Sequence, residues 1–189
     1  MIVGIIVIAV IVIAAVWFVV TYNSFVKLSN NVDESFATMD VYLKKRFDLI
    51  PNLVETVKGY ASHEKEVFDN VAKARSSVMG AKSQDEKIAG ETHLGDTLKS
   101  LFAVAEAYPE LKANENFNHL MSQLEGIEAD IANSRKYFNA VVKIFNIKCQ
   151  SFPSSIVASM LHYTKRPMFE VKEENERENI KVDFGNADQ

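Results

Sequence analysis

A chain of 189 residues with a single cysteine has room for one domain and an anchor, and it has neither an internal disulfide nor a cysteine-built zinc site. Glycine (7) and proline (4) are scarce, and β-branched runs stop after the first 20 residues, which favours an all-α protein. The net charge of −4 resides in the stretch from Glu170 to Gln189, where seven acids face three bases. The rest of the chain is neutral overall, so it offers no basic face of nucleic-acid size, and no nucleic-acid partner is expected.

Met1 to Val20 carries no charge and is almost wholly Ile, Val and Ala, with Trp17 and Phe18 near its end. Twenty helical residues span about 30 Å, the thickness of a bilayer's hydrocarbon core. Trp17 and Tyr22 stand where an aromatic belt falls. A cleaved signal peptide needs a basic start and a short apolar centre, and this segment has neither. No cysteine follows it, which excludes a lipoprotein signal. Residues 1–21 are therefore read as a retained transmembrane anchor. No Lys or Arg precedes it, whereas Lys27 and Lys44-Lys45-Arg46 follow, so the charge rule puts the N-terminus outside and the remainder in the cytoplasm.

From Tyr22 to Met79 the apolar positions Phe25, Leu28, Val32, Phe36, Met39, Leu43, Phe47, Ile50, Val54, Val57 and Ala61 step by three or four, and Phe68, Val71 and Val78 follow. That spacing predicts one long helix with a bundle or coiled-coil seam, continuous with the anchor and ended by Gly80. Pro51 must kink or break it near Ile50. Gly59 is the other breaker in this run. Ser83 and Glu86 have capping-box spacing, and they open a second helix over Gln84 to Tyr108. Gly90 and Gly95 weaken its middle by about 1 kcal/mol each relative to alanine. Tyr108-Pro109 marks a turn, with Pro109 either in the first turn of a new helix or closing the loop, and a third helix then runs from Glu115 to Cys149. Phe152-Pro153 breaks the chain, and a short helix follows from Ser155 to His162. The expected architecture is an N-terminal transmembrane helix continuous with a long antiparallel helical bundle of three long helices plus a short fourth. Residues 22–169 would form the bundle and 170–189 an acidic tail, poor in aromatic residues.

No catalytic, cofactor-binding or metal-binding residue emerges. His63-Glu64 opens like a zincin motif, but Val67 stands where the second histidine belongs. His93, His119 and His162 lie on separate elements. A di-iron bundle needs Glu-x-x-His twice, and none of Glu64, Glu66, Glu125 or Glu128 has a histidine three residues on. Glu173-Glu174 falls in the tail. There is no nucleophile elbow and no glycine-rich phosphate loop. An enzyme would need His63, His93 and Glu125 to converge around a metal. Asn52, Arg75, Asn114, Asn116, Arg135 and Asn139 lie close to apolar stripes and are read as caps or interhelical hydrogen-bond partners. Lys44-Lys45-Arg46 stands about 36 Å along the helix from the span, too far to reach headgroups through physiological salt. It is read as a solvated face or subunit contact. Cys149 is read as a small buried hydrophobe.

Asp48-Leu49-Ile50-Pro51-Asn52-Leu53-Val54-Glu55-Thr56-Val57-Lys58-Gly59-Tyr60 resembles the signature of the LemA family of bacterial membrane-anchored proteins. The resemblance extends through Asn31-Val32-Asp33-Glu34, Ala105-Glu106-Ala107-Tyr108-Pro109-Glu110-Leu111-Lys112-Ala113-Asn114, Leu124-Glu125-Gly126-Ile127-Glu128, Ala132-Asn133-Ser134-Arg135 and Phe152-Pro153-Ser154-Ser155-Ile156-Val157-Ala158. Two departures are small: Phe138 separates Tyr137 from Asn139, and Phe36 stands where a tryptophan is common. The resemblance implies one N-terminal span in a bacterial inner membrane and a helical bundle inside the cell. It supplies no catalytic residues. A magnetosome-associated relative implies a part in organising or shaping membranes, while relatives encoded beside membrane proteases imply an adaptor. The partners expected are therefore the lipid bilayer, further copies of this chain in a homo-oligomer, and a membrane protein if the chain is an adaptor or regulator of a protease or signalling protein.

Overall fold

The computed structural model describes Met1 to Phe169 and is all-α, with no strand among the described residues. The acidic tail, residues 170–189, lies outside them. Six helices follow one another: α1 (Ile2–Lys58), α2 (Lys65–Gly80), α3 (Gln84–Ala107), α4 (Pro109–Lys112), α5 (Glu115–Gln150) and α6 (Ser154–Met160).

Helix α1 has 57 residues and is therefore about 85 Å long. It runs through residue 20 without a break, so the apolar segment and the bundle share one helix. Beyond that segment its buried positions are Thr21, Phe25, Ser29, Val32, Ser35, Met39, Leu43, Arg46, Ile50, Leu53 and Val57, again in steps of three and four. The helix expected to reach Met79 is in fact two. Of the two breakers, Pro51 lies inside α1 and Gly59 caps its end. Pro51 removes a single donor, which one carbonyl a turn earlier can forgo. At Gly59 the chain folds over instead: the amides of Tyr60 and Ala61 both bond to the Val57 carbonyl, and Ala61 is buried. The residue after Gly59, Tyr60, accepts a hydrogen bond at its hydroxyl from Asn114 Nδ2 (2.9 Å), which pins this corner to the start of α5.

The later boundaries agree with their capping signals. Ser83 Oγ accepts from the Glu86 amide (3.2 Å), and the Glu86 carboxylate reaches back to the Lys82 amide (2.7 Å). Asn114 Oδ1 accepts from the Phe117 amide (3.0 Å) and caps α5. Pro109 is the first residue of α4. Helix α3 passes through both glycines unbroken. A Cβ on Gly90 would come within 3.2 Å of Val78 Cγ2, so this glycine lets α2 and α3 approach closely.

Helix α5 runs antiparallel to α1 along most of its length. Asn114 meets Tyr60, Glu128 meets Arg46, Phe138 meets Phe36, Phe145 meets Phe25 and Lys148 meets Ser24. Helices α2 and α3 pack against each other and onto the far end of α1. Helix α6 and the segment after it fold back onto α1 and α5 at the other end. The core is consequently in two parts. A distal part gathers Ile50, Leu53, Val57, Val71, Leu94, Leu98, Leu101 and Leu111, among others. A proximal part, nearer the apolar segment, gathers Phe25, Val32, Met39, Leu43, Phe138, Val142, Phe145 and Val157.

Candidate functional site

Two features stand apart from ordinary bundle packing. The first is the apolar start of α1. No protein atoms cover it: its residues are exposed from Ile2 to Val16, and only Phe18 touches the proximal core. This part of the helix is long and apolar enough to cross a membrane. It leaves the bundle at a junction that is firmly built. Thr21 and Phe25 are buried, Lys148 donates to the Ser24 hydroxyl and lies over the Phe25 ring, and Tyr163 stacks on Phe25 with ring centres 5.5 Å apart.

The second feature is a layer of charge between the two core parts. Arg46 follows Leu43 by three residues and precedes Ile50 by four, so it faces inward. It is only 1% exposed. Its guanidinium donates to the Glu91 carboxylate, to the Glu91 carbonyl (3.2 Å) and to Glu128 Oε1 (3.0 Å), and so joins α1, α3 and α5. Glu91 is equally buried, set between Ile88 and Leu94 on α3. Burial pushes the Glu91 carboxyl above its ordinary range, with the Arg46 guanidinium pulling the other way. Arg135, close by on α5, is held below the ordinary arginine range by burial and then by the like charge of Arg46. Its guanidinium covers the Phe169 ring at 4.8 Å. Three elements meet through one cation here, and the geometry makes the layer a clamp on helix register.

Arg46 therefore corrects the reading of Lys44-Lys45-Arg46 as a wholly solvated or subunit-facing run. Lys44 is exposed and pairs with Asp48, and Lys45 lies over Tyr42, but Arg46 rotates into the core. Spacing carried the signal: Arg46 and Glu91 are opposite charges, each set within an apolar stripe.

The polar residues singled out in the sequence behave in different ways. Asn114 is both cap and cross-link. Asn139 exchanges two hydrogen bonds with the Phe169 backbone (2.8 and 2.9 Å) and tethers the segment after α6. Arg75 covers the Phe47 ring at 4.1 Å. Asn52 and Asn116 are exposed. His63, His93, His119 and His162 are all exposed, and Cys149 is half-buried beside the proximal core. Among the described residues, no three of His, Cys, Asp and Glu are grouped to hold a metal, and His63, His93 and Glu125 form no such group.

Comparison with known proteins gives consistent results. The chain is 24% identical over 177 residues to magnetosome protein MamQ 1 of Paramagnetospirillum magneticum and 25% identical over 177 residues to magnetosome protein MamQ of Magnetospirillum gryphiswaldense, covering 80% of this chain and 65% of each relative. It thus spans about 65% of the length of these curated relatives. Protein LemA of Metamycoplasma hominis is 22% identical over 161 residues, covering 80% of this chain and 69% of the relative. The model of the LemA family matches residues 35–184, most of the chain, and the protein belongs to that family.

Proposed function

We propose that this protein is a non-enzymatic, membrane-anchored scaffold that self-associates and organises or shapes a bacterial inner membrane, with its N-terminus outside and its bundle in the cytoplasm. The observation that carries this reading is the single unbroken helix α1, which takes a bare apolar segment of membrane-spanning length directly into a folded bundle with no linker between them. A bundle held that way keeps a defined stance on the bilayer, as a coat of side-by-side copies requires. The surface supports the same reading. Tyr137, Ala140, Ile144 and Ile147 form an exposed stripe down α5 in steps of three and four, a seam that a second copy can fill. The likeness to magnetosome proteins also fits.

Electron microscopy and light scattering of the full-length protein in mild detergent test the proposal. Regular rings, shells or filaments are expected, and Ile144→Asp should disperse them. A strictly monomeric particle at every concentration overturns self-association and leaves the adaptor role, which then requires a stoichiometric cross-linked membrane-protein partner.

A further inference from the structure

The turn from α5 into α6 presents apolar side chains to the outside. Phe152 is 83% exposed, Ile156 52% and Met160 63%. On the opposite side of α6, Val157 and Ala158 are buried in the proximal core, so the outward face is set by the same packing that holds the helix. From Cys149 to Thr164 the chain contains no Asp, Glu, Lys or Arg, although charged residues make up 24% of the whole. A soluble surface rarely combines a charge gap of that length with large exposed apolar groups.

The height of this patch follows from the antiparallel register. Phe145 meets Phe25, and Lys148 meets Ser24. Each further residue along α5 moves back along α1 toward its apolar start. The end of α5 at Gln150 is thus level with the residues around Tyr22, and Phe152 lies where the apolar segment ends. Trp17 and Tyr22 occupy the same zone on α1. Lys148 and Lys165 bound the charge-free stretch, the sign that suits anionic headgroups.

We infer that the α5–α6 turn is a second membrane contact, in which Phe152, Ile156 and Met160 enter the bilayer interface beside the anchor. The inference rests on the reading of residues 1–21 as a membrane anchor. Its occupant is the boundary between headgroups and acyl chains, the depth that short amphipathic helices reach. A span alone leaves the bundle free to lean toward the bilayer on any side. The second contact limits that tilt and holds the α5–α6 end of the bundle against the interface.

Full-length protein in vesicles of phosphatidylcholine and phosphatidylglycerol tests this. Single cysteines are introduced by Val10→Cys, Met79→Cys, Phe152→Cys and Ile156→Cys in a Cys149→Ala background, then labelled with a nitroxide. Collisional accessibility is read with oxygen, which concentrates in lipid, and with a water-soluble nickel chelate. Phe152, Ile156 and Met79 are exposed, so cysteine there removes little packing, and thermal melts check each variant. The oxygen-to-nickel ratio at 152 and 156 is expected to rise toward that at 10 and far above that at 79. Nickel-dominated collisions at 152 and 156, with position 10 still in lipid, overturn the second contact and leave the anchor standing. Poor access to both reagents at 152 means that protein covers the patch, and this also overturns the inference. Nickel access at position 10 overturns the anchor, and the second contact falls with it.

Discussion

The distal and proximal halves of the bundle are built from different materials. All five close ring–ring contacts among the described residues lie in the proximal half, linking Phe25, Phe36, Phe138, Phe145, Tyr163 and Phe169. The distal half is filled mainly by leucine, valine and alanine, and much of it is the α2–α3 hairpin closing on itself. Hairpin contacts join residues near in sequence and cost little loop-closure entropy. Three of the proximal ring contacts, Phe25–Phe145, Phe25–Tyr163 and Phe36–Phe138, join α1 to the C-terminal part of the bundle across more than half the chain, and that long loop must be repaid. Large rings suit that task, because each buries more area and gains from edge-on packing. The half that anchors the bundle to its span is therefore held by a few large, long-range contacts. The half farthest from the span relies on many small, local ones.

Arg46 and Glu91 stand between these halves, and the sharpest test breaks both at once. Arg46→Ala strands the buried Glu91 carboxylate and should cost about 3–5 kcal/mol in urea unfolding, with protection lost in both core parts. Replacing the pair together, Arg46→Met with Glu91→Leu, should restore most of that loss, since well-packed apolar groups match a buried ion pair. If the double variant is as weak as the single one, the layer does more than fill and register the core.

The separateness of the halves is tested by paired truncations. Phe138→Ala should cost about 3–5 kcal/mol and Leu98→Ala about 2–5 kcal/mol. Hydrogen exchange should rise around α5 and α6 in the first and within the α2–α3 hairpin in the second. A uniform rise in either variant would show that the charged layer divides nothing.

A smaller effect belongs to pH. The folded Glu91 carboxyl holds its proton more tightly than its ordinary value of 4.5, because burial raises it. A raised carboxyl adds stability below the unfolded value, and that stability is lost as pH climbs from 4.5 through the folded value, then stays level. The slope this one group contributes is at most about 1.4 kcal/mol per pH unit. Comparing stability between pH 4.5 and neutrality in the parent and in Glu91→Gln should show the slope disappear in the variant, and an unchanged slope would assign it elsewhere.

The smallest change is a gain. A Cβ on Gly95 would sit 3.9 Å from the Arg46 guanidinium, an ordinary contact. Gly95→Ala should therefore raise the melting temperature slightly, by the equivalent of about 0.5–1 kcal/mol. Gly90→Ala should gain less, because Val78 must give way.

Much of this architecture was legible in the sequence, because caps and apolar periodicity are local signals. Ser83 marked a helix start, Tyr108-Pro109 marked a turn, and the stripe through Phe25, Val32, Met39 and Leu43 marked the face of α1 that packs. The break at Gly59 was harder to read. The apolar spacing resumes in α2 as though nothing intervened, and the corner shows in the shared Val57 carbonyl and in the tie between Tyr60 and Asn114, 54 residues apart. The buried charge layer was hidden for a related reason. Arg46 sits in a basic run whose other two members are exposed, and its partners lie 45 and 82 residues away. The stripe also runs through Arg46 and Leu53 at its deepest, whereas Phe47 and Val54 are only half-buried, which pairwise apolar spacing does not distinguish.

The absence of any joint in α1 between the apolar segment and the bundle has a mechanical consequence. From Thr21 to Lys58 the helix extends about 55 Å, and the bundle is clasped to it over that whole length. Spanning helices stand tilted by about 20° on average, and tilting is one way they fit a bilayer thinner than their apolar length. A lever of this length turns such a tilt into a sideways displacement of about 19 Å at its tip. The continuous helix thereby passes a tilt of its apolar segment undamped to the α2–α3 hairpin at the far end of the bundle.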